Sequence, residues 1–208
     1  MALPPIKDEK VMEFISARYE GDTLKVSSML SNTFIYEHAS YVGLGIETHY
    51  VDGAHIVTGI INDSLQTDLR IGDRIQELNG KPVDSLGLKI NGPVNEKQKI
   101  ILTRAGDSTF TFVESPLSIY QYEQDNESFL ESIMDYSEVW YDFDVTFERI
   151  FSRKNETVVY YHWEGSKIQS GPVYHFSAIE IIELNKKRNQ IERVVSLWTE
   201  KQFRDQFK

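Results

Sequence analysis

The sequence predicts an α+β chain in which a curved antiparallel sheet wrapped by helices is interrupted by a small β-rich domain. Three observations lead there. Helical stripes run over 7–20 and 23–30 and again over 126–140. The texture changes at about residue 40 to short strands with glycine turns and changes back near 116. The last third is a ladder of long strands rich in aromatic and β-branched residues. The domains so expected are 1–39 with 117–208, discontinuous, around an insert of 40–116.

Taken in order, Leu3-Pro4-Pro5 reads as an extended lead-in. "KDEKVMEFISARYE" over 7–20 carries Val11, Phe14, Ile15 and Ala17 at helical spacing, and Gly21 stops that helix. Asp22 stands at an N-cap position ahead of "TLKVSSML", a short helix with Leu24, Val26 and Leu30 as its apolar side. "TFIYEH" is a strand ending at His38. Inside the insert come "YVGLGIET", "HIVTGIIN", "DRIQELNG", "KIILTRAG" and "STFTFVES". "NESFLESIMDYSEVWYDF" returns to helix, with Phe129, Ile133, Met134 and Val139 or Trp140 on one side. Four strands follow, "VTFERIF", "TVVYYHWEG", "GPVYHFSAIEIIEL" and "QIERVVSLW", then a closing helix, "TEKQFRDQF".

Composition excludes several classes. With no cysteine there is no disulfide or thiolate chemistry, and the five histidines lack the spacing of a zinc motif, so no metal and no cofactor are expected. A formal charge of −10 opposes a nucleic-acid partner, and "NKKRN" at 185–189 reads as a solvated hairpin turn. No apolar run is long enough to span a membrane, and the first residues lack a basic head followed by an apolar stretch; the expectation is a cytoplasmic protein with no membrane partner.

Within the insert, "GLGIE" followed by "LRIGDRIQELNGKPV" and "KIILTRAG" resembles the PDZ family, in its bacterial form. The resemblance implies a loop, Gly43, Leu44, Gly45 and Ile46, whose amides receive the carboxylate of a C-terminal peptide, and a peptide that joins the sheet edge. The family's groove needs a helix after "NGKPV". Here "VDSLGLKINGP" leaves room for about one or two turns, interrupted by Gly87. Peptide recognition and a purely architectural insert are therefore both open.

The flanking pieces, joined, resemble the nuclear transport factor 2-like superfamily, a cystatin-like cone that includes ketosteroid isomerases and SnoaL-type cyclases. The likeness rests on "GDTLKVSSMLSNTFIYEH" and "NQIERVVSLWTEKQF". It implies a cavity at the open end of the cone, a small apolar ligand and a homodimer through the open sheet face. Carried over residue by residue, the isomerase base falls on His38 in place of aspartate, the phenol donor on Phe14, the oxyanion-hole acid on Glu180, and a pocket tryptophan on Trp198.

Alternation puts Tyr174, Phe176, Ala178 and Glu180 on one strand face and Ser196 with Trp198 on one face of the next. The candidate pocket is thus Phe14, Tyr36, Tyr174, Phe176 and Trp198, with His38 and Glu180 as the candidate acid–base pair. The bland readings are a hinge role for His38, a contact of Glu180 with Arg193 across the hairpin, and core packing for Tyr161, Trp163 and Trp198. The expected function is a small-molecule or peptide binding protein. The alternative is an isomerase- or cyclase-like proton-transfer enzyme acting on a small apolar carbonyl compound.

Overall fold

The computed structural model describes residues 8–134 and 136–207. The Pro-rich lead-in and Lys7 lie outside the described residues. The chain divides into two compact units, 1–39 with 123–208, and Ser40–Tyr122.

The discontinuous unit opens with α1 (Asp8–Tyr19), α2 (Thr23–Met29) and β1 (Leu30–His38). Val11, Phe14, Ile15 and Ala17 are buried, and so is Arg18, which continues the same stripe one turn beyond Phe14. Gly21 takes φ +69, a left-handed value that suits glycine and ends α1. Asp22 then accepts a hydrogen bond from the Lys25 amide at 2.9 Å and caps α2. Two expectations fail here: Leu24 is 85% exposed, and Leu30 begins β1. A seven-residue helix has only two turns, and Val26 and Met29 supply its buried side.

The insert contributes β2 (Tyr41–Gly43), β3 (Ile46–Val51), β4 (Ala54–Ile60), β5 (Arg74–Leu78), β6 (Lys81–Pro82), β7 (Lys97–Thr103), β8 (Phe110–Pro116) and β9 (Ser118–Tyr120). One sheet runs β3-β4-β5-β7-β8, with β6 on β5; β2 and β9 pair separately. That second pairing carries the unit past the expected 116 to Tyr122, because Tyr41 registers with Tyr120 and Gly43 with Ser118. Leu44, Val57, Leu69, Ile75, Leu78, Ile100, Leu102 and Leu117 form its core. The expected helical turns in 83–93 do not form. Gly87 and Gly92 sit at φ +100 and +138, outside the helical region, and Pro93 follows.

The first unit resumes with β10 (Glu123–Gln124), α3 (Asn126–Met134), α4 (Tyr136–Val139), β11 (Asp142–Arg153), β12 (Glu156–Ser166), β13 (Val173–Leu184), β14 (Ile191–Trp198) and α5 (Glu200–Asp205). Met134 and Val139, expected on the packed side, are exposed, while Phe129 and Ile133 are buried. The sheet order is β10-β1-β14-β13-β12-β11. It is mixed rather than antiparallel, because β1 runs parallel to β14. Strand composition carries no signal for that direction; it follows from where α2 delivers β1. In β13 the even positions Phe176, Ala178, Glu180, Ile182 and Leu184 are buried, and its apolar members share one core cluster with residues of α1, α2 and α3.

Candidate active site

The interior face of the first unit holds a charged pair. Arg18, 2% exposed, places Nη1 2.8 Å from Oε1 of Glu180, which has no exposed surface. Three hydroxyls donate to the same oxygen: Tyr161 at 3.0 Å, Ser196 at 3.3 Å and Tyr36 at 3.4 Å. Arg18 Nη2 donates to the Tyr161 hydroxyl at 2.7 Å and to that of Tyr19 at 3.0 Å, and those two hydroxyls are 2.8 Å apart. Each side chain arrives from a different element: Arg18 and Tyr19 from α1, Tyr36 from β1, Tyr161 from β12, Glu180 from β13 and Ser196 from β14.

The electrostatics follow from that geometry. Burial pushes the phenols of Tyr36 and Tyr161 well above their ordinary range and that of Tyr19 upward, with the neighbouring Glu180 charge adding to the rise and Arg18 opposing it. All three remain protonated donors at neutral pH. For Arg18, burial alone would weaken the guanidinium, but its charged surroundings, Glu180 foremost, outweigh that and the net direction is up. An ion pair this deep is tolerable only when its polar atoms are hydrogen-bonded. Among the described residues of the first unit, two buried side-chain atoms have no hydrogen-bond partner: Glu180 Oε2, an acceptor, and Trp163 Nε1, a donor.

Arg18 and Tyr161 carry this network, and sequence reasoning did not assign them to it. Val11, Phe14, Ile15 and Arg18 stand at i, i+3, i+4 and i+7, so Arg18 lies on the apolar stripe. A cation on an apolar face requires an anion, and Glu180 is a carboxylate within an apolar strand; that pairing was available as a signal.

The sequence-derived residues divide. His38, Ser196 and Glu180 stand in one row across β1, β14 and β13, since His38 registers with Ser196 and Ser196 with Glu180. Two strand spacings separate the ends of that row by about 10 Å. His38 Nε2 is 2.8 Å from Gln124 Oε1, and its ring meets that of Tyr36 edge-on. Tyr36 is in the network. Phe14 is fully buried and stacks with Phe129. Tyr174, Phe176 and Trp198 belong to a second group with Trp140, Trp163, Phe203 and Phe207: Phe176 stacks on Trp163 at 5.2 Å, and Tyr174 on Phe207 at 4.3 Å. Arg193 does not reach Glu180. It makes two bonds to Glu37, at 2.6 and 2.7 Å, because hairpin register sets it against Glu183 instead.

In the insert, Leu44 is a core residue and Gly45 takes φ +65 with the Tyr120 ring against it; a Cβ there would lie 2.1 Å from a ring carbon. Ile46 opens β3 opposite Ile60. The glycine at 45 is thus required by packing as well as by backbone conformation.

Among the described residues no cluster of three or more potential ligands could hold a metal ion, and no helix is long and apolar enough to cross a membrane. No family model and no curated protein matches the chain. Solved structures similar to it include a protein described as a SnoaL-like polyketide cyclase from Shewanella denitrificans (12% identity, 98% of this chain and 97% of that chain, TM-score 0.46). Others are IdmH from Streptomyces antibioticus, described as a candidate polyketide cyclase (9%, 96% and 96%, 0.48), and an NTF2-like protein of unknown function from Cytophaga hutchinsonii (10%, 100% and 100%, 0.43).

Proposed function

We propose that the discontinuous unit is a cone-shaped small-molecule binding domain of the nuclear transport factor 2-like type, and that the PDZ-like insert adds a recognition surface to it. The observation that carries this reading is Glu180 Oε2, buried and unpartnered among phenols and aromatic rings. Such an acceptor favours a compact apolar ligand bearing a hydroxyl or amine donor, since an unsatisfied buried acceptor costs about 1–3 kcal/mol. Binding is favoured over proton transfer because Glu180 Oε1 is already held by Arg18 and three hydroxyls. A shuttling base must present an oxygen that is free to take up and release a proton at the substrate.

The second reading is an isomerase- or cyclase-like acid–base enzyme using His38 and Glu180. It is supported by their position in one row with the Ser196 hydroxyl between them.

One variant, Glu180→Gln, tests both. All the tryptophans belong to the first unit, so their fluorescence reads ligand entry there. The wild-type chain should bind 2-naphthol about tenfold more tightly than 2-methoxynaphthalene, which has the same body but no donor. In the variant the amide oxygen stays with the four donors and Nε2 takes the place of Oε2, so the preference for the donor should vanish. Equal binding of the two probes by the wild type overturns the binding reading. A His38 titration by NMR that is identical in wild type and variant removes the acid–base pair.

A further inference from the structure

The insert contains a cavity of about 270 Å³, built from residues other than the Gly43–Ile46 loop. It lies between the β5–β6 hairpin and the strand-free segment that follows. Leu78, Pro82 and Val83 give it an apolar floor and wall; Lys81, Lys89, Asp84 and Asn91 stand around them.

The hairpin turn is Asn79-Gly80, both at positive φ, and Val83 N donates to Gln76 O at 2.9 Å. The opposite wall is held from several sides. His55, buried in the sheet, donates from Nε2 to the Asp84 carbonyl at 2.8 Å while its Nδ1 accepts from Thr48. The Asp84 carboxylate accepts from the Leu86 amide at 2.9 Å, and Gln98 Nε2 donates to the Asn91 carbonyl at 3.3 Å. A wall fixed in the free protein spares a ligand the cost of ordering it.

Charge decides the ligand class. Lys89 is neutralised by Asp84 at 2.6 Å, whose carboxyl is held below its usual range by that ammonium and the Leu86 amide. Lys81 has no ion-pair partner among the described residues. The cavity therefore presents an apolar pocket with one uncompensated cation at its rim. Its volume is at the small end of ligand sites, enough for a single ring or a short branched group.

We infer that this cavity is a binding site for a compact apolar carboxylate, with the hydrocarbon against Leu78, Pro82 and Val83 and the carboxylate on Lys81. The carboxylate can come from a free organic acid or from the last residue of a peptide chain; the chemistry at Lys81 is the same. The site is independent of the ligand assigned to the first unit.

Amide NMR of the full chain tests this with 3-phenylpropionate, its neutral twin 3-phenylpropionamide, and N-acetyl-glycyl-phenylalanine. The acids should move the amides of Lys81, Val83, Gly87 and Lys89 and bind about tenfold more tightly than the amide. Lys81→Met, which keeps the stem and removes the charge at an exposed position, should bring acid and amide to equal affinity. Val83→Phe, which fills the cavity, should abolish both. Binding of either acid at these residues supports the site, and the tighter of the two names the source. Equal affinity of acid and amide for the wild type, shifts confined to other residues, or an unaltered Lys81→Met overturns it.

Discussion

The interiors of the two units handle polarity in opposite ways. The first unit buries a full ion pair among phenols, with Arg18 2% exposed and Glu180 not at all. The main core cluster of the insert is aliphatic, and the ion pair at its cavity, Lys89 with Asp84, stands exposed at the rim. The difference teaches where each unit is vulnerable. A buried pair constrains the fold around it because either partner alone is costly, whereas rim charges tune binding and contribute little to stability.

The sharpest way to break this contrast is Arg18→Ala. It strands the Glu180 carboxylate with hydroxyl donors only and should destabilise the first unit by about 3–5 kcal/mol, seen as a lowered denaturation midpoint by tryptophan fluorescence. Arg18→Leu combined with Glu180→Leu should recover much of that loss, because the double replacement leaves no unpaired buried charge. A single variant as stable as wild type would mean that the buried pair does not hold the unit together as described.

In the insert the corresponding weak point is conformational. Gly45→Val places a β-branched residue at φ +65 and a Cβ within 2.1 Å of the Tyr120 ring. Strain of about 1–3 kcal/mol plus the steric overlap should loosen the β2–β9 pair. Amide exchange should accelerate in Ser40–Tyr122 with less change at β12 and β13. A uniform change in exchange over the whole chain would contradict a strain confined to the insert.

The smallest effect should come from Tyr161→Phe, which removes one donor to Glu180 and one acceptor for Arg18, about 1–3 kcal/mol. It also carries a pH signature. A phenol raised on folding contributes stability that is complete below its ordinary value of 10.0 and is lost as pH climbs through the raised value. Wild-type stability should therefore decline above pH 10, and the decline should be shallower in the variant. Equal slopes in urea melts across that range would show that Tyr161 does not titrate on unfolding as described.

How much of this could be read beforehand depends on the range of the interaction. The elements were legible because periodicity is local: Val11, Phe14 and Ile15 mark one face of a helix, and the alternation through Phe176, Ala178 and Glu180 marks one face of a strand. Gly21 and Asp22 announced the break between helices through backbone conformation and capping. Leu24, Met134 and Val139 misled because an apolar residue at an approximate helical spacing need not face the core when the helix is only two or three turns long.

Sequence by itself determined the α+β class, the position of most strands, and the presence of a costly carboxylate at Glu180. Tertiary structure alone decided what that carboxylate meets. Arg18 and Glu180 lie far apart in the chain, and nothing local selects Arg18 over Arg193 as its partner; the register that sets Arg193 against Glu183 and the packing of α1 on the sheet make the choice. The parallel entry of β1 beside β14 was decided at the same level, and so was the cavity beside Lys81. Strand direction and the shape left between a hairpin and a loop are properties of assembled surfaces, on which a period of two or of 3.6 residues carries no information.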